Sequence, residues 1–217
     1  MEVVMTNILA LEGANAHRWA VMHVSAAKIP TFHATALRLC DPGAKARFEG
    51  VTDRLVDLKM SPVPWWFIAI VAELEYGGPP HWDFQLGQGD ALNKRSHNVP
   101  AGRGPFLSHD GDITPGHDAW TRGAVDALVN CPPFAAKWTT WTIGGVLTLF
   151  EEYNGLGYAI RGVPSAYVWS GSDQYVSGKF VRDRVYNPKY VDTQEGCAPL
   201  LSMMIAVDPS IAKGILS

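Results

Sequence analysis

From Gly77 to about Thr114 the chain runs GGPPHWDFQLGQGDALNKRSHNVPAGRGPFLSHDGDIT, and this stretch limits the fold more than any other. Proline lacks an amide hydrogen, and glycine loses the most backbone freedom on ordering, so neither a long helix nor a central strand can run through it. Only short alternating pieces such as SHNVP survive, which predicts irregular loops with at most a small hairpin. Whatever core the protein has must come from the flanking sequence.

Those flanks carry helical spacing. Ahead of the loop-rich stretch, ANAHRWAVMHVSAA (14–27) and TFHATALRLC (31–40) predict two helices, the second stopped by Asp41-Pro42-Gly43. A third, AKARFEGVTDRLVDLKM (44–60), places Phe48, Val51, Leu55 and Leu58 on one stripe. Ser61-Pro62-Val63-Pro64 then opens FIAIVAELEYGG (67–78), with Pro64 suited to an early-turn position. Behind the loops come HDAWTRGAVDALVN (117–130), ended by Pro132-Pro133, TIGGVLTLFEEYN (142–154), ended by Gly155, and GCAPLLSMMIAV (196–207). Residues 157–178 predict a loop punctuated by aromatic rings. The expected fold is mainly α (α+β), with a loop-rich or small β-hairpin segment after the helix that ends in Glu75. Residues 1–33 form a helical extension in this reading, and residues 34–217 one compact unit.

Composition excludes several classes of function. With 217 residues, 47% of them hydrophobic and 18% charged, the chain can bury an ordinary globular core. A net charge of −3 provides no basic footprint, so nucleic acid is not an expected partner. No apolar run approaches the ~20 residues that span a bilayer. The N-terminus carries Glu2 and lacks a basic n-region, which does not fit a signal peptide. Three widely spaced cysteines, Cys40, Cys131 and Cys197, offer no CxxC pair and fit a reducing compartment. Eight Trp and seven Tyr are many for this length; such rings fill cores and also stack on sugars.

Chemistry enters with the two glutamates of FIAIVAELEYGG. Glu75 shares a helix face with Val71 and Ile68, and Glu73 shares one with Ala69 and Trp66. A carboxyl against such apolar neighbours has its charged form disfavoured, as a general acid for glycoside cleavage requires. A helix end running into solvent gives the same pattern, and spacing alone separates neither the readings nor the residues. Asn154-Gly155, flanked by Tyr153 and Tyr158, is equally a helix cap and an exposed backbone edge. Glu151 and Glu152 read as decoration on the solvent side of their helix. In SHDGDITPGHD (108–118), His109, Asp110, Asp112, His117 and Asp118 could be drawn as a metal site, but no H-x-x-x-H spacing or Cys supports it, and a solvated loop is expected.

VPWWFIAIVAELE, LGQGDALNKRSHNVPAGRGP and EEYNGLGYAIRGVPSAYVWSGSDQYVSGKFVRD, in that order, resemble a group of bacterial and phage lysozyme-family proteins, the endolysins. That group shows V-P-W before an apolar helix ending in Glu, then N-G-D-P-L, V-P-A-G-R-P, Y-N-G-F-G-Y and S-P-Y-L-W-S with G-K-Y/F. QEGCA near the C-terminus matches a common ending. The resemblance covers roughly residues 34–204. It implies a lysozyme-like fold and a monomeric, cofactor-free N-acetylmuramidase acting on peptidoglycan glycan strands. By position it makes Glu75 the catalytic acid and Asp90 the residue that orients or deprotonates a water. Gln88, which stands in the usual Asn place, would contact substrate together with Tyr153, Asn154, Tyr158, Tyr167 and Trp169. Ala91 departs from the usual Pro. It further implies synthesis in a host cytoplasm and release to the cell wall through a holin. Lytic transglycosylase, chitinase-like enzyme and non-catalytic glycan-binding or virion module remain alternatives.

Overall fold

The computed structural model describes residues 2–87, 89–97, 100–107, 118–182 and 184–215, with side chains from residue 7 onward. Ten α-helices, one 3-10 turn (Ala135–Lys137) and one two-stranded antiparallel sheet make up the described regular structure, a mainly helical fold with a small β-hairpin. No described helix is long and apolar enough to cross a membrane. The chain divides into two compact units, one built from residues up to Leu37 and from Thr140 onward, the other from Arg38–Thr139.

The Arg38–Thr139 unit is organised around α4 (Trp65–Tyr76), whose residues from Trp66 to Ala72, with Leu74, are all buried. A helix apolar on every side belongs in an interior. Burying each of Phe67, Ile68, Ile70 and Val71 contributes on the order of 1.5–3 kcal/mol. α3 (Pro42–Asp57) starts where Asp41 accepts hydrogen bonds from the Gly43 and Ala44 amides, and it buries Ala44, Phe48, Val51 and Leu55. α5 (Ala119–Asn130) is capped by Asp118, which accepts from the Thr121 amide at 2.8 Å and pairs with Arg47 of α3. Phe48, Trp82 and Trp120 meet with centroids 4.8–5.7 Å apart. The Trp120 indole donates to the Tyr76 hydroxyl at 2.9 Å.

Between α4 and α5 the described residues pair as strand at a single bridge, Phe84 with Ala91, in place of the expected hairpin. Side chains take over where a ladder would have run. Buried Gln85 donates from Nε2 to the carbonyls of Ala91 and Lys94, and Ser96 accepts from the Arg103 amide while donating to the Pro100 carbonyl. Local side-chain bonds of this kind satisfy backbone groups that Gly and Pro keep out of regular structure. The hairpin itself lies later, as β1 (Lys179–Arg182) and β2 (Val185–Asn187), with Phe180 opposite Tyr186.

The other unit is built on α1 (Glu2–Val21) packed along α6 (Ile143–Tyr153). Here the sequence spacing placed the helix too late: α1 starts at Glu2 and ends before His23, whose amide donates to Asp173 Oδ1. A Cβ at Gly144 would lie 2.4 Å from the Glu12 carbonyl oxygen, so only glycine lets α6 approach α1 this closely. Asn15 then donates to Thr148 Oγ1 at 3.1 Å across the buried contact. α7 (Gly157–Ile160) and α8 (Ala166–Trp169) are short helices within the segment expected to be loop. α2 (Ile29–Leu39), α9 (Cys197–Val207) and α10 (Ser210–Ile215) complete the described helices, and Phe32 of α2 lies against Gly171.

Two glycines test this packing. Gly144→Ala should lower stability by about 1–3 kcal/mol through overpacking. Gly13→Ala, where a Cβ meets nothing within 4 Å, should be neutral or stabilising by up to ~1 kcal/mol. Chemical denaturation of the two variants checks the contrast; equal effects would contradict it.

Candidate functional site

The end of α4 brings the two glutamates into different surroundings. Glu73 Oε1 accepts from Arg38 Nη2 at 2.6 Å, and Arg38 Nη1 donates to the carbonyls of Gly77 and Pro79 at 3.1 and 2.7 Å. Arg38 therefore fastens the helix to the chain that leaves it, with Glu73 as its anchor. Glu75 is half-buried as the penultimate residue of the helix, which Gly77 closes in the left-handed conformation. Spacing had left these two residues equivalent; the ion pair with Arg38 gives Glu73 a structural role.

The Gly-Asp turn that follows packs directly on this helix end. A Cβ at Gly89 would sit 2.7 Å from the Glu75 carbonyl oxygen, and Gly89 holds φ of +62°, so both contact and conformation require glycine. Asp90 is the next residue. The Asp90 carbonyl accepts from the Gln85 amide at 2.6 Å, which fixes the turn beside the helix. Its carboxyl is 15% exposed: Oδ1 lies 2.5 Å from His97 Nδ1, and Oδ2 accepts from the His97 amide at 3.1 Å. Asp90 thus braces the loop through both oxygens. Gln88 lies outside the described residues, as do His109, Asp110, Asp112 and His117; Asp118 serves as the α5 cap.

The residues expected to hold sugars belong to the other unit. Asn154, Gly155, Tyr158 and Tyr167 line a cleft of about 460 Å³, with the hairpin as its other wall. Asn154 and Gly155 are exposed, and Gly155 follows α6 with φ of +85° and donates its amide to the Glu152 carbonyl at 3.0 Å, as a helix cap does. Tyr158 is 3% exposed and its hydroxyl accepts from the Phe180 amide at 3.3 Å, which ties α7 to β1. Tyr167 is likewise mostly buried. Both rings are too buried to present an open face to the cleft. Lys179 pairs with Asp192 at 2.7 Å, while Arg182 and Arg184 add positive charge to the same wall. Tyr153 is half-buried and outside this lining, and Trp169 is fully buried, so neither presents a stacking platform in the cleft.

One carboxyl departs from the sequence reading. Glu151 was expected on a solvated helix face; it is 2% exposed, turned inward on α6. Burial pushes its pKa up to about 7, against smaller opposing effects from the Asn15 hydrogen bond, the Arg18 charge and the Ala159 amide. Burial also raises Glu12 and Glu152, and Glu12 adds repulsion to Glu152. The available signal was helical phase: Leu147 and Thr148, four and three residues before Glu151, are both buried.

A carboxyl raised in the folded state stabilises the fold when protonated. Its contribution is full below the ordinary value of 4.5 and is lost as pH rises through about 7. Wild type should therefore lose on the order of 3 kcal/mol relative to Glu151→Gln between pH 4 and pH 8. Paired denaturation curves at the two pH values measure this; parallel behaviour of the two proteins would contradict it. No family model, curated protein or solved structure matches this chain.

Proposed function

We propose that the protein is a peptidoglycan-degrading glycosidase, most simply an N-acetylmuramidase, with Glu75 as general acid. The observation that carries this reading is the seating of Gly89 on the Glu75 carbonyl, which sets the Gly-Asp turn against the glutamate-bearing end of an apolar helix. The order of sequence words shared with lysozyme-family endolysins supports it. In this reading the Glu75 carboxyl protonates the glycosidic oxygen as the bond to the anomeric carbon breaks. The sugar passes through an oxocarbenium-like state that water then captures. The exposed Asn154 side chain, on its own cleft, offers a donor and an acceptor suited to N-acetyl groups. Release through a holin and action at the cell wall belong to the same proposal.

A second reading is favoured by Asp90. Both of its oxygens are engaged by His97, so a carboxylate free to take a proton from water is not evident there. A lytic transglycosylase needs no such residue. The 6-hydroxyl of the muramyl sugar attacks its own anomeric carbon, and the carboxylate left on Glu75 takes up the hydroxyl proton.

The test is clearing of outer-membrane-permeabilised Gram-negative cells. Glu75→Gln should lose at least ~100-fold in rate while remaining folded. Glu73→Gln should keep the chemistry but lose about 1–3 kcal/mol of stability, because Arg38 loses its carboxylate partner. Reducing ends among the products identify the hydrolase, and anhydromuramyl ends the transglycosylase. Full activity in Glu75→Gln would remove Glu75 from the mechanism.

A further inference from the structure

Within the α1–α6 unit lies a cavity of about 630 Å³, away from the cleft lined by Asn154. Leu11 of α1, Leu156, Val163 and Trp169 supply apolar walls, and Arg18 and Glu151 open on the same space. Glu151 is almost completely buried, and its carboxyl is hydrogen-bonded by Asn15 and by the Ala159 amide. Its Oε1 is nevertheless buried without a hydrogen-bond partner. An acceptor left unmatched in an interior is costly, and such atoms are few in folded proteins. Cavities of this size, mostly apolar with a few convergent polar groups, are the usual form of small-molecule sites.

We infer that this cavity is a binding site for a small, mostly apolar molecule with a neutral amide head, the amide N–H donating to Glu151 Oε1 and its carbonyl accepting from Arg18. The two side chains set the chemistry of the head. A carboxylate head pairs with Arg18 but leaves Glu151 Oε1 without a donor, and an ammonium head supplies that donor but meets the like charge of Arg18. An amide presents one donor and one acceptor and carries no charge. Leu11, Leu156, Val163 and Trp169 take the apolar body, whose transfer from water drives the binding. This site is independent of the glycosidase reading, since it uses neither Glu75 nor the Asn154 cleft.

The experiment titrates the full chain with hexanamide, hexanoate and hexylamine, following thermal stability and the Ala159 amide and Trp169 indole NMR signals. Hexanamide should raise the melting temperature in a concentration-dependent way and shift both signals. Hexanoate and hexylamine should bind at least about tenfold more weakly. At pH 8, where Glu151 is ionised, Glu151→Gln turns a donor toward the cavity and should weaken hexanamide by a similar factor. Should that variant fail to fold, Leu156→Trp, which fills the cavity from its apolar wall, must abolish the same shifts. The inference is overturned if hexanamide gives no shift in wild type, as a merely water-filled cavity would, if the charged probes bind equally well, or if the variants respond like wild type.

Discussion

The burial of α4 governs the surroundings of the proposed acid. Because Trp66 through Ala72 are enclosed on all sides, the helix cannot rotate or slide without exposing large apolar groups. Its end is therefore a fixed point. Arg38 ties that end to the departing chain through Glu73, Gly77 and Pro79, and Gly89 closes on the Glu75 carbonyl. Rigid elements with locked supports are what a catalytic side chain needs if its proton is to be delivered to one atom rather than to solvent.

Three carboxyls illustrate how environment divides chemically identical groups. Glu73 is paired with a guanidinium through one oxygen, Asp90 with a histidine ring and its amide, and Glu151 is buried with no ion pair; Glu73 and Glu151 each keep one buried oxygen unmatched. The first two act as braces for the helix end and its loop. Glu151 faces a cavity instead, where desolvation dominates and the proton is held to about neutral pH. The cost of its burial is tolerable because Asn15 and the Ala159 amide offset part of it.

Much of the fold was legible in the sequence because helices announce themselves by period. The stripe of Phe48, Val51 and Leu55 is the buried face of α3, and the continuous apolar run of α4 is its full burial. What escaped was set by contacts distant in the chain. α1 packs against Gly144 and Thr148 of α6, some 130 residues away, and no local spacing announces that contact. The loop-rich segment was foreseeable from its Gly and Pro content, but its bracing by Gln85, Ser96 and Asp90 was not, since side-chain to backbone bonds follow no period. At the site, spacing alone could not choose between Glu73 and Glu75; the choice came from resemblance, and the Arg38 pair accounts for Glu73 alone. The aromatic candidates were the least legible. Tyr158, Tyr167 and Trp169 all carry the composition of a sugar platform, yet all three are largely buried.

The most direct test of the central claim is release of soluble fragments from purified sacculi by wild type and Glu75→Gln, compared at equal amounts of wall-bound protein. The account predicts that the variant binds the sacculi like wild type and releases almost nothing, because only the proton donor has been removed. Fragment release at the wild-type rate would contradict it, and would leave the glutamate at the end of α4 as no more than a helix terminus.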